Sequence, residues 1–431
     1  MGDLLVDLQK CTRCGFCQDV CPTYKAELNE GSVARGRLKL AKMIEEGKYR
    51  WDRDSKLHKH INDCLLCGAC VSNCPGSIPV SEVMIKARQK INKQSGTDLF
   101  YKVAYKGALS DQKKLKLGRN FMRLYQITGV KRLVTATGIL KAIPPLKVME
   151  ERMPEVPKKT FFEMLPDLVV QLQNPKYKVA YFCGCATNSF FGDVGAATVK
   201  VLQKLNCQVY APTVECCGEP HKGAGDLEEA KRLAKRNIDI FFNEKNFDFI
   251  ITDCATCGSA LKNYKRLLGD DIAYQMKAEQ FSAAVYDLNQ FIVYKTDALE
   301  NISAIDNQEI TVTYHDPCHL VRGQKISEAP REILKKIPSV VLVEMEDTNS
   351  CCGGAGSYGF THHRLSKKFL QNKMEKVKAT GANCLATCCP ACMMQLGYGI
   401  RSEQLNMKLV HPVQLLDKAL LQTIADQKVE G

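Results

Sequence analysis

The chain has 431 residues, 45% of them apolar and 25% charged, with 22 cysteines and a formal net charge of +13. That length and apolar content suit a globular protein of roughly two to four domains and exclude a disordered or fibrous chain. Clustered cysteines, with no long apolar core in Met1–Lys10, argue for a reducing compartment and bound metal rather than a disulfide scaffold, and no stretch reaches the apolar length of a membrane span. A cytoplasmic protein is expected, with peripheral attachment to the cytoplasmic membrane face left open. The charge is also local: Ser95 to Thr160 holds fourteen Lys and Arg against five Asp and Glu. Such a patch points to an acidic partner or a membrane surface, and away from nucleic acid.

Residues 1–95 carry Cys11, Cys14, Cys17 and Cys21-Pro22, then Cys64, Cys67, Cys70 and Cys74-Pro75, each run with the spacing 2-2-3. Three close thiolates can reach three irons of one cubane, and the fourth, beside a proline that turns the chain, is aimed at the other cluster. The expected ligand sets are therefore Cys11, Cys14, Cys17 and Cys74 for one 4Fe-4S cubane, and Cys64, Cys67, Cys70 and Cys21 for a second. Structural zinc is the competing reading, but tetrahedral zinc has no use for this strict spacing. Each cubane bound by four thiolates adds about −2, so the formal charge overstates that of the loaded protein.

Between the two runs, Leu38, Ala41 and Ile44 recur on one helical face and Gly47 stops the run, so this ferredoxin-type domain is expected to be α-helical. Arg35 and Arg37 flank Gly36. They suit either the neighbourhood of an anionic cluster or a solvated helix start.

Residues 96–176 read as a basic helical connector. Leu117, Phe121, Leu124 and Tyr125 form an apolar stripe beside Lys113, Lys114, Lys116, Arg119 and Arg123. The stripe suits a membrane-surface or partner-docking helix, but helices of this kind more often pack on their own domain, which is the expectation here. Pro144-Pro145, Pro154 and Pro157 predict an extended linker.

A duplication follows. Cys183, Cys216-Cys217 and Cys254-x-x-Cys257 recur as Cys318, Cys351-Cys352 and Cys389-x-x-Cys392, every member 135 positions later, and both pairs continue into glycine. Five coincidences at one offset imply two copies of one sulfur-rich unit, here divided as residues 177–308 and 309–431. Strand-like Val179–Phe182, Gln208–Ala211 and Phe249–Thr252 alternate with helical stretches, and Thr311–Tyr314, Val340–Val343 and Cys384–Ala386 repeat them. Each copy is thus expected to be α/β with a parallel sheet whose strand ends gather the cysteines, giving an α+β multidomain chain overall. Four thiolates suffice for zinc or a cubane, so five including an adjacent pair imply a less regular iron-sulfur assembly. Cys207 and Cys384 are expected to be buried small apolar residues, whereas Cys185 and Cys388 adjoin ligands. His315, His319 and Arg322 flank Cys318; they could bond cluster sulfurs or supply protons as catalytic groups, or simply cap a strand-to-helix turn. Gly353-Gly354-Ala355-Gly356 lacks a full phosphate fingerprint, so close backbone approach to a cluster is the preferred reading.

Cysteine, Cys-Cys-Gly and Cys-x-x-Cys at these spacings resemble the CCG domain. Support comes from Gly184-Cys185-Ala186-Thr187-Asn188, Asp253-Cys254-Ala255-Thr256-Cys257-Gly258 and Tyr314-His315-Asp316-Pro317-Cys318-His319. A two-cluster ferredoxin module ahead of two CCG copies is similar to the glycolate oxidase iron-sulfur subunit family, related to subunits of heterodisulfide reductase and of anaerobic glycerol-3-phosphate dehydrogenase. The resemblance implies noncubane 4Fe-4S clusters at both CCG sets and a partner FAD subunit that oxidises a 2-hydroxy acid such as glycolate or lactate. Electrons would pass through this chain to a quinone, a ferredoxin or an electron-transferring flavoprotein. The absence of a dinucleotide-binding fingerprint fits a flavin supplied from elsewhere. The alternative is a heterodisulfide-reductase-like subunit that reduces a disulfide at the CCG clusters.

Overall fold

The computed structural model describes residues 4–51, 56–98, 101–130, 144–243, 246–300, 302–305 and 309–420. Up to Ser95 the described residues form helices and turns and contain no strand. Helix Ala34–Glu45 follows an extended Val33, buries Ala34, Leu38, Ala41 and Ile44 at helical spacing, and ends before Gly47 at φ +76°. Its apolar face meets Val83, Met84, Ala87 and Ile91 of helix Val80–Ser95, with Leu8, Trp51 and Ile61 completing the core. Helices as short as Cys17–Val20 and Ala69–Ser72 have no stability of their own, and tertiary packing must hold them. At Gly36 a Cβ would lie 1.9 Å from the Glu30 carbonyl oxygen, so only glycine permits this approach.

The connector begins with a wide π-type segment, Tyr101–Leu109, and continues as helix Gln112–Ile127. The carboxylate of Asp111 caps the latter, accepting from the backbone N–H groups of Lys113 and Lys114 at 2.9 and 3.3 Å. Two expectations for this region need correction. Pro144 and Pro145 open a helix, Pro144–Arg152, because proline at a first turn loses no hydrogen bond; only the chain after it, through Pro154 and Pro157, is irregular. The apolar stripe of Gln112–Ile127 does not pack on its own domain either: Leu117, Phe121 and Leu124 are exposed.

The remainder is two four-stranded, all-parallel sheets, ordered β2-β1-β3-β4 and β6-β5-β7-β8. Strands β1 (Tyr177–Tyr181), β2 (Cys207–Tyr210) and β3 (Phe249–Thr252) correspond to β5 (Ile310–Tyr314), β6 (Val340–Leu342) and β7 (Cys384–Ala386). Each sheet gains a fourth strand that the pattern did not announce, β4 (Val285–Asp287) and β8 (Lys408–Val410). At three residues each carries no period-2 signal, and unlike the equally short β6 and β7 neither leads into a repeated cysteine motif.

The copies share their cores. Phe161, Val179 and Val201 cluster with Val413, Leu416 and Leu420, and Ile302 bridges Leu420. Two cross-contacts tie the copies at their cysteine-bearing turns. The His411 imidazole bonds the Asp253 carbonyl at 3.0 Å, and the Ala255 N–H donates to the Cys388 carbonyl at 3.0 Å. Cys207 and Cys384 are buried at the starts of β2 and β7.

Candidate functional site

The eight N-terminal cysteines line two adjoining recesses. One, with roughly 450 Å³ of open space, is walled by Cys11, Cys14, Cys17 and Cys74; the other, roughly 380 Å³, by Cys21, Cys64, Cys67 and Cys70. Cys70, Ala34 and Val80 stand in the wall between them and line both. Cys14 is exposed, so the first recess faces the surface, whereas Cys21 is buried.

Burial pushes the Cys67 thiol up and the Cys70 thiol well up. Thiols crowded around open space, two of them disfavoured as free thiolates by burial, are a donor set that a cationic iron core would ionise, so these residues fit a cluster. Arg37 is buried beside the second recess. Its guanidinium donates to the His60 carbonyl at 2.6 Å and to the Thr23 hydroxyl at 3.0 Å, and stands 4.0 Å from the Cys21 sulfur. It is a counter-charge for that site, whereas Arg35 is held by Glu30 at 2.6 Å and lines the first recess.

In each later copy the cysteines sit beyond the carboxyl ends of β1 and β3, or β5 and β7, where parallel sheets gather ligands. Gly218 and Gly353, which follow the Cys-Cys pairs, both stand at φ +84°, and a Cβ on Gly353 would lie 2.8 Å from the Ser366 carbonyl oxygen. This left-handed turn swings the pair toward the Cys-x-x-Cys at the head of helix Ala255–Lys262 or Pro390–Ser402. Cys217 is held down at about 6, first by hydrogen bonding from Cys216 and then from Cys257. Cys352 is held well below the ordinary thiol range in the same way, by Cys351 and Cys392. Each pair therefore supplies a sulfur already biased toward the thiolate that binds metal.

The first cysteine of the first copy has two candidates. The common offset selects Cys183, but Cys183 is buried against Tyr181 and Asp253, and it is Cys185 that hydrogen-bonds Cys216. Strand register gives the reason. Tyr177 pairs with Cys207 as Ile310 pairs with Val340, which sets Tyr181-Phe182-Cys183-Gly184-Cys185 over Tyr314-His315-Asp316-Pro317-Cys318. The second copy is two residues longer between its second strand and its Cys-Cys pair, so the constant offset and the strand register select different cysteines. The structural counterpart of Cys318 is Cys185.

The same register explains Cys388. The Tyr181 hydroxyl donates to the Asp253 carboxylate at 2.8 Å, and the Tyr314 hydroxyl donates to the Cys388 sulfur at 3.3 Å. Cys388, also bonded by the Asn289 amide at 3.3 Å, fills the place of an aspartate.

The four sites adjoin in one order. Cys67 and Cys351 pack with Leu65 and Tyr358 in one small cluster, and the Arg322 guanidinium spans this junction, donating to the Cys67 carbonyl at 3.4 Å and the Asn349 carbonyl at 2.8 Å. At the other side of the second copy, the sulfurs of Cys389 and Cys254 hydrogen-bond each other. Thr256 lies 3.3 Å from the Cys389 sulfur, and its hydroxyl is 3.2 Å from His319 Nδ1. The His315 imidazole, Cys352 and Cys392 present ligand atoms within 4.8 Å of one another, and His315 Nδ1 has no partner. His315 thus stands in the second site, while His319 and Arg322 stand at its two junctions.

A helical two-recess module joined to two cysteine-lined parallel sheets defines an iron-sulfur electron-transfer protein. Residues 7–78 match the 4Fe-4S dicluster domain, residues 179–262 and 312–397 each match the cysteine-rich CCG domain, and residues 96–153 match the linker region of the glycolate oxidase iron-sulfur subunit. The chain is 33% identical over 422 residues to the probable glycolate oxidase iron-sulfur subunit of Bacillus subtilis, covering 96% of this chain and 94% of the relative. It therefore belongs to the glycolate oxidase iron-sulfur subunit family. It is 25% identical to the glycolate oxidase iron-sulfur subunit of Escherichia coli, again over 96% and 94% of the two chains. It is also 26% identical to a fumarate reductase (CoM/CoB) subunit of Methanothermobacter marburgensis, over 96% of this chain and 72% of the relative. A crystal structure of a hypothetical protein from Helicobacter pylori shares the fold, with a TM-score of 0.52 at 8% identity, covering 99% of this chain and 78% of that one. Among the described residues, no helix is long and apolar enough to cross a membrane.

Proposed function

We propose that this chain is the iron-sulfur subunit of a multisubunit oxidoreductase of the glycolate or lactate dehydrogenase type. An FAD-containing subunit would oxidise the 2-hydroxy acid, and a quinone, a ferredoxin or an electron-transferring flavoprotein would accept the electrons. The observation that carries this reading is the single file of sulfur sets, from the surface recess through the second recess and the second copy to the first. When bound, iron-sulfur clusters supply one-electron transfer. Cys11, Cys14, Cys17 and Cys74 would hold one cubane, and Cys21, Cys64, Cys67 and Cys70 the other. Cys318, Cys351, Cys352, Cys389 and Cys392 would hold a noncubane 4Fe-4S cluster, and Cys185 with Cys216, Cys217, Cys254 and Cys257 its counterpart.

The chain's own residues support this order. Arg37 brings positive charge to the second recess, Arg322 clamps that recess to the second copy, and the Cys389–Cys254 contact closes the gap between copies. Burial of most of the sulfurs in both copies, with Cys185, Cys318 and Cys351 half-buried, limits water at them and favours electron transfer between neighbours over transfer to solvent. The relatives named glycolate oxidase subunits support the substrate class. A peripheral position on the cytoplasmic membrane face would bring a lipid-dissolved quinone within reach.

Anaerobic purification of the native complex, with analysis of partners, flavin and iron, tests this. A co-purifying FAD subunit that reduces the clusters with a 2-hydroxy acid is the expected result. The second reading, disulfide reduction at the CCG sites, draws support from two complete five-cysteine sets and from the similarity to a CoM/CoB fumarate reductase subunit. A flavin-free preparation that reduces a low-molecular-weight disulfide would establish it instead.

A further inference from the structure

Helix Gln112–Ile127 is folded inside out. Leu117, Phe121 and Leu124, at positions i, i+4 and i+7, are 72%, 74% and 55% exposed. Ile127 and Val130 extend the exposed apolar surface to the end of the helix and beyond. The opposite face points inward and is held by polar side chains beside the half-buried Leu115 and Met122. Arg119 is buried and donates to the carbonyls of Ser189, at 3.1 Å, and Pro157. The Gln112 amide donates to the Val214 carbonyl at 2.7 Å. Gln126 donates to the Pro154 carbonyl at 3.1 Å and accepts from the Val156 N–H at 2.9 Å.

These bonds fix the helix to the first CCG copy and the chain preceding it, and they hold the apolar ridge away from the core. A soluble surface rarely carries such a contiguous ridge unless something covers it. Lys113 and Lys114 stand on the same outer face, Lys116 and Arg123 flank it, and the helix itself contains no acidic residue.

Charge decides between the occupants. Lysine is depleted where proteins dock on proteins, whereas an aliphatic and aromatic ridge rimmed by lysine is the pattern of a helix lying in the headgroup region of an anionic bilayer. We infer that helix Gln112–Ile127 is a peripheral anchor, with Leu117, Phe121 and Leu124 entering an anionic lipid surface and Lys113 and Lys114 meeting its phosphates. The inference deepens the peripheral membrane position proposed above by naming the element that makes it, and it does not depend on which electron acceptor or dehydrogenase partner is used.

The test is flotation of the full-length, iron-loaded chain with vesicles of phosphatidylcholine alone and of phosphatidylcholine with phosphatidylglycerol. Binding to the anionic vesicles, weakened by salt and reduced roughly tenfold or more in Leu117→Ser/Phe121→Ser/Leu124→Ser, is expected. Because these side chains are exposed, cluster absorbance per chain should be unchanged, which separates lost anchoring from misfolding. Lys113→Glu/Lys114→Glu should lower binding to anionic vesicles specifically. No binding at low salt, or binding indifferent to the apolar replacements, would overturn the inference. So would a result in which the triple replacement releases a co-purifying protein while vesicle flotation stays the same.

Discussion

Phe182 and His315 occupy the same position in the two copies, each directly after the tyrosine that ends the first strand, Tyr181 in β1 and Tyr314 in β5. Both are buried, but only His315 brings a polar group to the sulfurs, and its hydrogen bond helps to hold Cys352 down. The duplicated sites are therefore electrostatically unequal. Hydrogen bonds to cluster sulfur raise a reduction potential. His315→Phe should lower the potential of the second CCG centre by about 60 mV, the equivalent of one charge-assisted bond of about 1.4 kcal/mol. Redox titration followed by electron paramagnetic resonance reads this directly, and a potential that does not move would remove His315 from the site.

Cys185 and Cys183 give a sharper test of ligand identity. Cys185→Ser should cost the protein about four iron atoms and one spectroscopic signal. Cys183→Ser should keep both, because that thiol packs among Tyr181 and Asp253. Iron content per chain distinguishes the two, and the reverse outcome would restore the constant-offset reading.

These two residues also show where the sequence stops being legible. Spacing alone revealed both ferredoxin runs, the duplication and most of the strands, because ligand geometry and strand period impose themselves locally. Which cysteine of the first copy matches Cys318 depends instead on how many residues lie between β2 and Cys216 compared with β6 and Cys351, which only strand pairing reveals. The direction faced by Gln112–Ile127 was equally hidden. Its amphipathic period was plain, but the partners of Arg119, Gln112 and Gln126 are backbone carbonyls far away in the chain, and carbonyls leave no trace in sequence.

Gly353 carries a prediction about backbone. At φ +84°, with Ser366 O where a side chain would go, Gly353→Ala combines left-handed strain with a clash and should destabilise the second copy by about 1–3 kcal/mol. Denaturant titration of that copy's signal should show the loss. Gly381, also at positive φ but with nothing near its missing Cβ, should tolerate alanine better.

Iron removal should divide the molecule. The N-terminal module has a small core and helices of only four residues at Cys17–Val20 and Ala69–Ser72, so much of its folding energy must come from its clusters. After chelation of the reduced protein, hydrogen exchange should become fast across residues 11–74 and stay slow in β1, β3, β5 and β7. Uniform protection after chelation would show that the apolar core alone suffices.

Arg88 joins the module to the first CCG copy. Its buried guanidinium donates to the carbonyls of Ile61 and Asn62 at 3.1 Å, Cys64 at 2.5 Å and Gly223 at 2.6 Å, and no carboxylate faces it in these bonds. Burial lowers its affinity for the proton, so the four carbonyl dipoles stand in for a counter-ion. Arg88→Met would keep the length of the side chain but strip all four acceptors of their donor. The expected cost is about 3 kcal/mol, concentrated at the junction. Limited proteolysis near residues 61–64 should then run on the order of a hundredfold faster, because cleavage follows the population of the opened state. The spectra of the CCG centres should be unchanged, since no ligand of either copy touches Arg88 in these bonds. Equal proteolysis rates in the two proteins would mean that Tyr358, whose hydroxyl donates to the Asp63 carbonyl at 2.9 Å, holds the junction without it.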